Sequence, residues 1–140
     1  MNGQKLSICG VDDPDGFDPV YAEASAFSSW QDELESCQKT TNPSIYSILL
    51  SHRPELIEEY TNSGFDLVLA GHAHGGQIRI PGVLNGLYAP DQGFFPKYAG
   101  GQYQLGETTM IVSCGLSLKK GIPRIFNPPE LVVIDLEPIQ

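Results

Sequence analysis

Two apolar runs joined by a short amphipathic stretch constrain the fold of this chain more than any other feature. The first, residues 44–52, reads Ser-Ile-Tyr-Ser-Ile-Leu-Leu-Ser-His and is rich in strand formers. The second, residues 67–70, is continuously apolar, as a strand buried on both faces is. Between them Pro54 suits a first helical position, while Glu55, Glu58 and Glu59 favour the positive end of a helix dipole. Leu56, Ile57 and Tyr60 supply an apolar stripe, and Gly64 suits the stop. A strand–helix–strand unit of this kind predicts two parallel strands and a right-handed crossover.

The three histidines of the chain all lie at the ends of these runs. His52 closes the first, and Gly71-His72-Ala73-His74-Gly75-Gly76 follows the second. Parallel strands bring His52 and His72 to one edge of the sheet, where open α/β sheets place their ligands. Neutral imidazoles suit a first-row divalent ion such as Zn²⁺, Ni²⁺ or Cu²⁺ better than Mg²⁺. The plainer alternative is a strand followed by a polar turn that happens to hold two histidines.

At 140 residues the chain fits one domain, read as residues 1–140, with a modest core. No apolar stretch approaches the length of a membrane span, and no signal peptide is expected ahead of Lys5. Cys9, Cys37 and Cys114 are scattered and odd in number, which points to reduced thiols and a cytoplasmic setting. The net charge of -9 arises wholly in residues 1–66, where twelve acids face Lys5, Lys39 and Arg53. No basic patch is visible, so nucleic acid is not an expected partner, and an anionic substrate would need metal ions to offset the field.

Along the chain, residues 5–11 read as a first strand ending in Asp12-Asp13-Pro14-Asp15-Gly16, turn chemistry first and a metal site second. Asp18-Pro19 looks like a helix start, and Val20, Ala24, Phe27, Trp30, Leu34 and Cys37 trace one face of a helix to about Gln38. Residues 77–80 predict a short strand. Residues 81–107 form a long irregular stretch carrying Tyr88, Phe94, Phe95, Tyr98 and Tyr103, either a lid over the histidine edge or a loop pinned by its own aromatics. Residues 108–114 and 131–136 read as strands, with Lys119, Lys120 and Arg124 between them as candidate anion contacts.

His52 at a strand end, the Gly71-His72-Ala73-His74-Gly75-Gly76-Gln77-Ile78 run and the Pro123-Arg124 and Pro129-Glu130-Leu131 tail resemble the C-terminal half of a calcineurin-like metallophosphoesterase. Within that family the likeness is to a bacterial branch similar to a membrane-lipid-type phosphodiesterase. The resemblance implies an α/β fold, the C-terminal half of a β-sandwich flanked by helices, with a mixed sheet and two main helices. It also implies divalent metals (Mn, Zn or Fe), dinuclear in the complete domain, with His52 and His72 on one ion and His74 on the other. The family's Asp-x-His, Gly-Asp and Gly-Asn-His motifs are missing here, so the chain reads as a single truncated domain.

The resemblance implies a phosphodiesterase or phosphomonoesterase acting on a small phosphoester or phospholipid-like substrate, with two metal ions activating water and clamping phosphoryl oxygens. The alternative is a non-catalytic or split half-domain that binds metal weakly until another chain completes it, and a mononuclear three-histidine zinc site is a third reading. Self-association through an exposed sheet and little activity of the chain alone are expected. So is a cytoplasmic location, or a peripheral one at the membrane.

Overall fold

The computed structural model describes residues 5–18, 26–117 and 122–137. In chain order the elements are β1 (Ser7–Gly10), α1 (Trp30–Thr40), β2 (Ser47–Leu50), α2 (Ile57–Thr61) and β3 (Leu67–Ala70), then β4 (Tyr88–Ala89), β5 (Gly93–Phe94), β6 (Gly101–Leu105) and β7 (Thr108–Val112). One sheet of order β1-β2-β3-β7-β6 organises them, and β4 with β5 makes a small ribbon. The pairs β1–β2, β2–β3 and β3–β7 are parallel, while β6 returns antiparallel to β7. This is an α/β fold with a mixed sheet, and the crossover joining residues 44–52 to 67–70 is parallel as the pattern requires.

The register divides the sheet into two faces. Leu49, Val68 and Met110 pair in one row and are fully buried. They form the core with Trp30 and Leu34 of α1 and with Tyr60, Phe65 and Val112. Burial of each such side chain contributes roughly 1.5–3 kcal/mol. On the opposite face the row Gly10, Leu50, Leu69, Ile111 is less covered, and Ile8 and Leu50 remain 61% and 45% exposed.

α1 starts later than its stripe suggests. Ser29 caps it, accepting from the Asp32 N–H at 3.1 Å, and Asp32 and Glu33 occupy the first turn. Phe27 therefore lies before the helix, in a bent segment, and Val20 and Ala24 fall outside the described residues. Trp30, Leu34 and Cys37 keep the expected inward face.

Three further expectations change. Residues 77–80 form no strand, only single bridges from Ile78 to Ile125 and from Ile80 to Leu84. The long stretch 81–107 is not wholly irregular: it contains β4, β5 and β6, and in β6 the exposed Gln102 and Gln104 alternate with Tyr103 and the buried Leu105. Residues 131–136 belong to no strand. Val132 and Ile134 are half-buried beside exposed Leu131 and Val133, but the run pairs with no neighbour among the described residues, and alternation without a ladder makes no sheet.

Candidate metal centre

The C-terminal ends of β1, β2 and β3 lie at one edge of the sheet, and each delivers a side chain there. Beyond β1, the Val11 N–H still bonds to Leu50 O at 3.0 Å, and the chain then enters a 3-10 turn, Pro14–Phe17, capped by Asp13. The Asp13 carboxylate accepts from the Asp15 N–H at 2.9 Å. The Asp12 N–H donates to Glu33 on α1 at 2.8 Å, which pins this turn to the helix. Beyond β2 come His52 and Arg53, and beyond β3 comes His72.

The two rings meet. His72 Nδ1 is 2.8 Å from His52 Nε2, and the ring centroids are 4.6 Å apart. On its far side His72 Nε2 lies 2.8 Å from Asp91 Oδ2, and in the neutral tautomer that donates to this carboxylate a bare Nδ1 turns toward His52. Asp13 Oδ2 is 3.4 Å from His52 Nε2. Asp13, His52 and His72 thus offer three ligand atoms that all lie within 4.8 Å of one another. Two imidazoles and a carboxylate are a donor set suited to a first-row divalent ion, and Asp91 behind His72 is the outer carboxylate that commonly orients such a ligand.

His74 lies outside that trio. Its Nδ1 lies 3.3 Å from Ser117 Oγ. The backbone explains the divergence. His72 and His74 have φ of 60° and 49°, with right-handed Ala73 between them, so the chain turns at each residue rather than alternating as a strand would. The Ala73 N–H bonds to Gly71 O at 2.6 Å and the Ile78 N–H to Gly76 O at 2.7 Å, two three-residue turns in succession. Asp91 has φ of 60° as well. Such left-handed positions cost about 1–3 kcal/mol each and persist only where the surroundings hold them.

Here the surroundings do. A Cβ on Gly76 would sit 2.3 Å from Gly86 Cα, so two backbones cross at this point with no room for a side chain. Buried Asn127 donates to His74 O at 2.7 Å and to Gln77 O at 3.2 Å, and the Leu87 N–H reaches Gly76 O at 2.9 Å.

Arg53, only 5% exposed, lies among carboxylates. It donates to Asp13 Oδ1 from Nε at 3.0 Å and from Nη2 at 2.8 Å, and Nη2 also pairs with Asp15 at 2.6 Å. Nη1 pairs with Asp91 and stands 3.7 Å from Glu55. Burial by itself would lower the Arg53 pKa, but the Asp13 hydrogen bonds and the charges of Asp13, Asp91 and Asp15 raise it above its ordinary value. Partial burial likewise pushes the Asp13 carboxyl up, yet the Arg53 and Asp15 hydrogen bonds and the Arg53 and His52 charges hold it below the usual carboxylate range.

Of the residues singled out by sequence, His52 and His72 come together at the sheet edge. Asp13 was legible as a strand-end residue but read as turn chemistry. Asp91 and Arg53 were missed: Asp91 sits in the long glycine-rich stretch with nothing local to mark it. The aromatics of that stretch pair with one another, Tyr88 with Phe94 at 5.4 Å and Tyr98 with Tyr103 at 5.0 Å, while Phe94 and Phe95 stay exposed. Arg124 donates to the carbonyls of Cys114 and Ser117, clasping the loop after β7, and Lys119 and Lys120 lie outside the described residues.

The chain is similar to three curated metallophosphoesterases along nearly its whole length. It is 37% identical over 94% of its residues to the uncharacterized metallophosphoesterase Cj0846 of Campylobacter jejuni, covering 32% of that protein. It is 30% identical over 97% of its residues to YkuE of Bacillus subtilis, covering 42%, and 33% identical over 94% to an Aquifex aeolicus protein, covering 46%. It thus spans less than half the length of these relatives. A further relative, 32% identical over 66% of the chain, is the UDP-2,3-diacylglucosamine pyrophosphatase LpxG of Chlamydia muridarum. No family model and no solved structure matches the chain. With its sheet-edge histidines and its likeness to these proteins, the chain belongs to the calcineurin-like metallophosphoesterase family, whose C-terminal part it matches.

Proposed function

We propose that this chain supplies the histidine-bearing part of a metal-dependent phosphoester hydrolase, with Asp13, His52 and His72 holding a divalent ion. The observation that carries the reading is the convergence of those three groups with Asp91 behind His72. A divalent ion bound there would supply Lewis acidity, polarising a phosphoryl oxygen and acidifying water. The chain's own residues position and balance charge: Asp91 fixes the His72 ring, Asp13 adds negative charge, and a shallow depression beside His52, open to solvent and lined by Gly10, Val11, Asp12, Leu50 and Ser51, leaves an organic group unobstructed. The likeness to LpxG, a UDP-2,3-diacylglucosamine pyrophosphatase, supports a phosphate-anhydride or phosphodiester substrate with an apolar portion.

The Gly-Asn-His motif, which in the resembled family supplies the histidine that protonates the leaving group, does not occur in this sequence, and that contribution is typically ~10²–10⁴ in rate. The 140-residue chain alone is therefore expected to hydrolyse an aryl phosphodiester with Mn²⁺ feebly or not at all. The test of the reading is metal uptake. Equilibrium dialysis against Zn²⁺ should show binding that His52→Ala and His72→Ala each abolish, and unchanged uptake in both variants would make the histidines structural.

A further inference from the structure

Resting on that metal-binding reading, a second feature of the same edge concerns how many cations it holds. Asp13 is divided between two neighbours. Its Oδ1 receives Arg53 Nε and Nη2 at 3.0 and 2.8 Å, while its Oδ2 takes a weaker share of Arg53 Nε at 3.2 Å and faces His52 at 3.4 Å. Asp91 is divided in the same way, since its Oδ2 takes both His72 Nε2 and Arg53 Nη1. Asp15 completes the set at 2.6 Å from Nη2. The guanidinium thus occupies the space in which the three aspartates converge, and it does so buried and with a fork geometry that an ion of similar charge could not match in shape.

We infer that Arg53 is the resident second cation of this site, so that this chain takes one divalent ion, between Asp13, His52 and His72, and the guanidinium holds the place where a second would find carboxylates. The donor census agrees: among the described residues one cluster has metal-ligand spacing, and the acids next to it are already paired to Arg53. A fixed guanidinium also repels an added cation at short range, an effect large enough in a partly solvated site to shift affinity by roughly tenfold or more.

Zn²⁺ stoichiometry by equilibrium dialysis with metal analysis tests this on the full chain. The wild type should bind one ion, and Arg53→Lys, which keeps the charge, should also bind one. Arg53→Met should bind two, with the first held roughly tenfold or more tighter. Two ions in the wild type, or one ion at unchanged affinity in a folded Arg53→Met, would overturn the inference, whereas no ion in the wild type would overturn the metal reading beneath it. A nitrogen-15 NMR measurement of the Arg53 Nε–H in the wild type does not depend on the variant folding. The signal should stay protected from exchange when Zn²⁺ saturates the site, and its collapse on metal addition would show that the ion displaces the guanidinium.

Discussion

Asp91 is the residue on which the orientation of His72 depends. Its carboxylate receives the His72 Nε2 proton and, through the same oxygen, Arg53, so it couples the ring to the buried cation. Asp91→Asn keeps the shape but removes the charge, and losing such an outer carboxylate typically costs 10–100-fold in metal affinity. Calorimetric titration with Zn²⁺ should show a loss on that scale, and an unchanged affinity would mean that Asp91 only ties the loop to Arg53. His52 and His72 were legible in the sequence because each follows a strand whose apolar run fixes its position. His74, which the family resemblance puts on a different ion, lies outside the trio, and two left-handed residues set the path of the chain between the two histidines. Asp91 was not legible, because its approach to His72 depends on a loop path that no local pattern encodes.

At the scale of elements, α2 shows how a five-residue helix is kept in place. It lacks a side-chain cap, and its stability comes from Tyr60, fully buried, whose hydroxyl donates to Arg53 O at 2.5 Å and lies 2.8 Å from Ser51 Oγ. Burial raises the Tyr60 pKa well above its ordinary value, and the charge of Glu55 adds to this. Unfolding frees the phenol to ionise near its ordinary pKa of about 10, so stability present below that pH is lost as pH rises toward the folded value. Urea midpoints should therefore fall above about pH 10, and Tyr60→Phe should flatten that fall while lowering stability at neutral pH by about 1 kcal/mol for the hydrogen bonds. A midpoint with the same alkaline slope in both proteins would assign the effect elsewhere. The parallel strands and the core face of α1 were readable from periodicity. The start of α1 was not, because the apolar stripe extends beyond Ser29, the residue that in fact caps it. Residues 131–136 misled for a different reason: Leu-Val-Val-Ile is apolar and β-branched as a strand is, but among the described residues the sheet edges, β1 and β6, pair only inward.

For the whole molecule, the sheet has one well-covered face and one with Ile8 and Leu50 open to solvent, and the edge strand β1 lies beside them. Exposed apolar strands at an edge recruit partners. The chain is expected to self-associate, with sedimentation velocity showing a concentration-dependent shift that Ile8→Lys suppresses; a wild type that stays monomeric at high concentration would contradict this. The placement of β7 has a different consequence, one of timing. It sits between β3 and β6, yet Thr109 pairs with Leu67 across about forty residues of chain, while β6 reaches β7 through a short turn. Closing the longer loop is entropically the slower event. The layer of β1, β2 and β3 and both histidines lie within residues 7–76, so His52 and His72 can stand together before the stretch that carries Asp91 has packed against them. A nascent chain would then offer its histidine pair to solvent ions first, and the carboxylate that orients the pair would arrive afterwards.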